Sequence, residues 1–169
     1  MGRGGLPGCR RGNVQEVLTG RRILPDLNAL PIQLVDDYPG HPYVAEALVP
    51  ALTGSDTLVA FGYLPLRVQW VLEDLGFETV AARNAVSSLL EYPMEFVDID
   101  DGTVRDAYEI SAAKNHDVYD CFYLAVAREA DVDAICTTDT DFEALCSGEP
   151  FEYRNPVPTE VLERFHEVA

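Results

Sequence analysis

Lysine is almost missing from this chain: Lys114 is the only one in 169 residues, and the 29 acids outnumber the 12 bases. A run of about 18 or more apolar residues is also missing, and the N-terminus lacks an apolar signal core, so no segment is expected to enter or cross a membrane. The expected location is the cytoplasm. Cysteine is scarce and unpatterned. Cys9, Cys121, Cys136 and Cys146 show neither a CxxC pair nor zinc-ligand spacing, and three of them sit in apolar surroundings, as reduced core thiols do. A disulfide framework and a structural zinc site are both excluded on this pattern.

The acidic, lysine-poor surface resembles that of a salt-loving proteome. At molar salt the Debye length falls to roughly 3 Å, so surface carboxylates hardly repel one another and serve solubility. An anionic protein would ordinarily be a poor nucleic-acid binder. High salt weakens that objection, because it also removes the counterion-release affinity on which basic proteins depend. The charge is uneven along the chain: residues 1–22 carry Arg3, Arg10, Arg11, Arg21 and Arg22 with Glu16 as their only acid, among glycine and proline. They read as a disordered basic extension, either an RNA-binding arm or a floppy leader, ahead of one domain over residues 23–169.

Within that domain the elements alternate. Ile23 to Asp26 is a short apolar run that stops at polar turn residues, a buried strand. Helical spacing follows over Tyr43–Leu52 and Leu64–Leu75, the latter stopped by Gly76, and then over Ala82–Tyr92. Glu95 to Ile99 alternates like a half-buried strand, and Asp106–Lys114 returns to helix. In Asp117–Ala130, Val118, Cys121, Phe122 and Ala125 fall on one helical face. Ala134 to Thr138 reads as a buried strand ending at Asp139, Phe142–Cys146 as a short helix, and Phe151–Arg154 as one more strand. Strands separated by helices predict an α/β fold with a mostly parallel sheet covered on both faces.

In such a sheet, ligands gather beyond the carboxyl ends of the strands. Asp26 and Asp139 each follow an apolar strand, Asp141 comes shortly after, and Asp120 lies in the first turn of a helix. Each has an ordinary structural explanation. Asp117 and Asp120 are suited to capping, Asp139 to a turn, Asp141 to the cap of a short helix, and Asp26 with Asn28 to an Asx turn. Their joint placement adds a functional one: clustered carboxylates raise one another's proton affinity, and a shared site suits a hard divalent cation. Mg2+ or Mn2+ is the expected cofactor.

Three stretches resemble the PIN-domain family, which includes the VapC-type toxins: Pro25-Asp26-Leu27-Asn28-Ala29-Leu30, Tyr119-Asp120-Cys121-Phe122-Tyr123-Leu124-Ala125, and Thr137-Thr138-Asp139-Thr140-Asp141-Phe142. They occur in the family's order and spacing, and Arg154-Asn155-Pro156 is similar to its closing segment. The resemblance implies a PIN-like three-layer sandwich with about five strands flanked by helices. It also implies a metal-dependent endoribonuclease, the toxin of a toxin–antitoxin pair. Asp26, Asp120 and Asp139 would be catalytic and, with Asp141, would hold the metal, while Asn28 and Thr138 would steady these carboxylates by hydrogen bonds. The implied partners are an RNA substrate, an antitoxin protein and a second copy in a homodimer. Tyr43, Leu66 and Trp70 are candidates for a partner groove, with the core as the other destination for Trp70.

One position departs from the family. Where a glutamate is usual, the stretch Arg67-Val68-Gln69-Trp70-Val71-Leu72 places Arg67, and an arginine there is expected to pair with the acids and weaken metal binding. That departure keeps a second function open, an impaired PIN-like module that binds RNA or protein. A phosphotransfer domain is a third reading. It is disfavoured because Lys114 precedes the Asp120 helix and Asn28 stands where a phosphatase needs an acid.

Overall fold

Short apolar runs bounded by turn residues form five strands: β1 (Arg22–Pro25), β2 (Thr57–Phe61), β3 (Glu95–Val97), β4 (Ala134–Cys136) and β5 (Glu152–Arg154). They pair in the order β3-β2-β1-β4-β5, every pair parallel, in a computed structural model that describes residues 20–167. The sheet is therefore all-parallel, where a mostly parallel one was expected. From β1 the chain steps outward to β2 and β3, then returns to the other side of β1 for β4 and β5. The order reverses between β1 and β4, and a reversal of this kind opens a crevice at the strands' carboxyl ends.

Burial follows position in the sheet. The inner strands β1, β2 and β4 are buried on both faces and read as continuous apolar runs, whereas the edge strands β3 and β5 have no fully buried residue. β2 is the strand that was not legible in the sequence. A continuous run such as Leu58-Val59-Ala60-Phe61 has no alternation, so periodicity alone does not separate it from the tail of the preceding helix.

The helices occupy the connections. α1 (Ala29–Leu34) and α2 (His41–Leu52) join β1 to β2, and α3 (Leu64–Asp74) and α4 (Thr79–Leu89) join β2 to β3. α5 (Asp101–Lys114) and α6 (Val118–Glu129) precede β4, α7 (Asp141–Leu145) follows it, and α8 (Thr159–Leu162) with a final 3-10 turn, Glu163–Glu167, closes the described chain. α5 starts ahead of the expected Asp106 because Asp100 and Thr103 form a capping box there. Asn115, in the left-handed region at φ 51°, ends α5 and turns the chain directly into α6. α1, α8 and the final turn were not read from the sequence; all are too short to establish a helical period.

Arg21 and Arg22, counted with the basic extension, belong to the folded body. Arg22 opens β1 and makes a bidentate pair with Glu95 on β3 at 2.7 and 2.8 Å, while Arg21 pairs with Glu152 on β5. Residues 1–19, with Cys9, lie outside the described region. Cys121, Cys136 and Cys146 are buried free thiols, and burial pushes the Cys136 thiol up to about 12. Trp70 is 55% exposed and Leu66 69% exposed, so neither is in the core. Among the described residues no helix is long and apolar enough to cross a membrane.

Ile135, fully buried in β4, tests this packing. Ile135→Ala is expected to cost about 2–5 kcal/mol in denaturant unfolding at molar salt, and Leu66→Ala within about 0.5 kcal/mol.

Candidate active site

The register of β1 against β4 builds the centre of the site. Pro25 pairs with Cys136, and the next backbone N–H, that of Asp26, donates to the Cys136 carbonyl at 3.0 Å. The Asp26 side chain consequently stands beside the residues that leave β4. Its Oδ1 accepts from the backbone N–H groups of Asn28 and Ala29, both at 2.9 Å, and its Oδ2 accepts from the Thr137 hydroxyl at 2.6 Å. Asp26 is only 3% exposed. Burial dominates its titration and pushes its pKa up to about 7, with the nearby charge of Asp139 adding to the rise and the three hydrogen bonds opposing it.

Thr137 serves both acids. Its hydroxyl donates to Asp26 and accepts from the Asp139 backbone N–H at 2.9 Å, and Asp139 Oδ1 in turn accepts from the Asp141 N–H at 2.9 Å. This corrects the expected role of Thr138. Thr137 is the residue directed at Asp26, while Thr138, in the bend that follows, lines an adjacent apolar groove with Leu27 and Tyr38. The part expected of the Asn28 side chain is taken by its backbone N–H, while Asn28 itself lines the hollow described next.

Asp120 enters from α6, whose first turn is set by Asp117 Oδ1 accepting from the Tyr119 N–H at 2.8 Å. Asp26 and Asp120 line the same hollow, of about 300 Å3, floored by Phe61, Phe122 and Tyr123. Burial raises the Asp120 pKa, with Asp139 and Asp117 adding to the rise, while a contact of 2.8 Å between its Oδ2 and His116 Nε2 opposes it. Asp139 thus acts electrostatically on both acids. Asp141 does not line that hollow: it opens α7 and lines a neighbouring depression with Lys114 and His116. His116 was missed from the sequence, although its spacing of four residues before Asp120 was the available signal.

Arg67, on α3, lines the rim of the same hollow. The expected pairing with the acids does not occur. Its guanidinium lies 4.9 Å from the Trp70 ring centroid, and among the described residues it forms no ion pair with a carboxylate. Stacking on an exposed indole one helical turn away gives the guanidinium a partner other than the carboxylates.

No three His, Cys, Asp or Glu side chains among the described residues converge as a preformed metal cage. Magnesium does not need one, since it retains waters and takes one or two carboxylates. Asp26 and Asp120 in one hollow fit that chemistry, and the raised proton affinity of both is what a cation would relieve.

The buried acid carries a testable pH dependence. The folded protein binds the Asp26 proton more tightly than the unfolded chain does, so ionisation costs stability as pH rises from the ordinary carboxylate range through about 7. The cost is on the order of 4 kcal/mol once ionisation is complete. Asp26→Asn is therefore expected to raise the thermal midpoint of the metal-free protein more at about pH 8 than at about pH 5, read by calorimetry.

Known proteins bear on this geometry. No curated protein matches the chain. The crystal structure of Mycobacterium tuberculosis VapC20, a sarcin–ricin loop cleaving toxin, is similar at a TM-score of 0.60 and 16% sequence identity, covering 75% of this chain and 95% of that one. At that identity the likeness concerns the fold, a parallel five-stranded sheet flanked by helices. The sequence profile described as PIN domain matches residues 23–147, which hold both acids of the hollow and the Thr137–Asp139 turn, and the chain belongs to the PIN domain family.

Proposed function

We propose that this protein is a Mg2+- or Mn2+-dependent endoribonuclease that cleaves RNA phosphodiesters by attack of water. The observation that carries the reading is the meeting of Asp26 and Asp120 in one hollow, under the charge of Asp139 and unpaired with Arg67. A divalent ion bound between these acids would stabilise charge on the scissile phosphate and acidify the attacking water. Asp26, held by three hydrogen bonds, and Asp120, steadied by His116, would be its ligands. Asp139 would complete the negative field, with Asp141, next to it on the turn, in a secondary role. Arg67 would contact a phosphate of the RNA, a role suited to a guanidinium.

By its likeness to a toxin, the chain would act as the toxin of a toxin–antitoxin pair in the cytoplasm, with an antitoxin protein as partner and a homodimer as its assembly. Leu66 and Trp70, exposed on α3, are the surface offered to such partners. A second reading rests on Arg67: a cation lining the hollow, with no three acids converging among the described residues, also suits a PIN-like module that binds RNA or protein without cutting.

At molar salt, manganese is expected to raise the thermal midpoint of the wild-type protein and to support cleavage of RNA, with chelation reversing both. Asp120→Asn should lower kcat/KM by on the order of 100-fold or more, and His116→Ala by about 10-fold through the orientation of Asp120. A folded wild-type protein that does not cut, together with an Arg67→Glu variant that does, would favour the binding module.

A further inference from the structure

The hollow has an aromatic side as well as an acidic one. Tyr63 and Tyr119 line it together with Asp26, Asp120 and Arg67, and they are 43% and 71% exposed. Single exposed tyrosines are ordinary on a protein surface. Two that share a hollow with the carboxylates are not isolated in that sense. Tyr63 is backed by Phe61, with ring centroids 4.7 Å apart, and lies 5.7 Å from Phe122 at an interplanar angle of 33°. Tyr119 is set by its backbone bond to Asp117 and directly precedes Asp120 on α6. Tyr119 is therefore carried by the helix that positions Asp120, and Tyr63 by the turn from β2 into α3, on the strand beside β1.

We infer that Tyr63 and Tyr119 form a stacking site for a nucleobase of the RNA beside the scissile phosphate. This rests on the RNA reading above and names the part of the RNA that is recognised. Charge supports it. The chain has a net charge of −17 and one lysine, and Arg21, Arg22, Arg105, Arg128 and Lys114 are engaged in ion pairs, so most of the cations among the described residues are already held by carboxylates. Arg67 is the cation that lines this hollow. Base–aromatic stacking does not depend on counterions and tolerates any base, because each has a π face. A base inside a duplex has both faces covered and has no free face to offer.

The test uses the full-length Asp120→Asn protein with manganese at molar salt and a short single-stranded RNA containing a fluorescent adenine analogue, whose emission falls on stacking. Saturable quenching is expected, weakened about 10-fold by Tyr119→Ala or Tyr63→Ala and retained in Tyr119→Phe and Tyr63→Phe, which keep the ring. The logarithm of affinity should fall against the logarithm of salt with a slope of about −0.7, that of a single phosphate contact to single-stranded RNA. In the cleaving background, either alanine change should raise KM by about 10-fold and alter kcat less.

Alanine variants that bind as tightly as their parent, or equal competition by duplex RNA, would overturn the inference. So would a change in sedimentation of Tyr119→Ala at unchanged RNA affinity, which would make the rim a protein interface. Cleavage that survives both alanine changes with KM unaltered removes the stacking site and leaves the nuclease. Tyrosine-dependent quenching without cleavage by the wild-type protein removes the nuclease and keeps the stacking site, and the absence of both removes both. Tyr119 is mostly exposed, so its variants leave the core intact and carry the test if Tyr63→Ala fails to fold.

Discussion

Everything at the acidic centre depends on the pairing of β1 with β4, two strands that are neighbours in the sheet and far apart in the chain. The bond from the Asp26 N–H to the Cys136 carbonyl sets Asp26 against Thr137, and the Thr137 hydroxyl then links Asp26 to the backbone of Asp139. A slip of one residue would turn Thr137 away and present Thr138, because side chains on a strand change face at every step. The register thus fixes which threonine serves the acids and how close the acids come. Its guarantee is the close packing of Leu24 and Ile135, paired and fully buried, which a slip would force into the differently shaped opposite layer of the core.

Like charges gather here against their own repulsion, and the structure tolerates this in distinct ways. Asp26 is buried, with its pKa pushed up to about 7, Asp120 is steadied by His116, and the Asp139 carboxylate accepts the Asp141 backbone N–H at the mouth of the turn. Arg67 could have neutralised the cluster and instead stacks on Trp70. Elsewhere the cations pair locally: Arg22 with Glu95, and Arg128 and Lys114 with Glu149. A hollow with unneutralised acids on one side and aromatic rings on the other suits a ligand that brings both cation and π surface, as RNA with a divalent ion does.

The strand before Asp26, the helix carrying Asp120 and the strand before Asp139 were legible from the sequence because each is an apolar run or stripe ended by turn or capping residues. The three stretches that resemble the family were legible for the same reason. β2 was not, since a strand buried on both faces has no alternation, and the early start of α5 was hidden because a capping box between Asp100 and Thr103 has no apolar period. Thr137 and Thr138 are chemically alike, so only the pairing of β4 could distinguish them. Trp70, an apolar side chain at helical spacing, carried no mark of which face of α3 would meet solvent.

By itself the sequence determined the alternation of strands and helices, the acids that end them, and the anionic, lysine-poor surface. These are local properties, expressed in period, turn chemistry and charge. Tertiary structure decided that Asp120 joins Asp26 while Asp141 looks elsewhere, that Thr137 is the threonine they share, and that Arg67 turns to Trp70. Such choices depend on the strand order and the β1–β4 register, which bring together residues more than a hundred positions apart and leave no trace in local pattern.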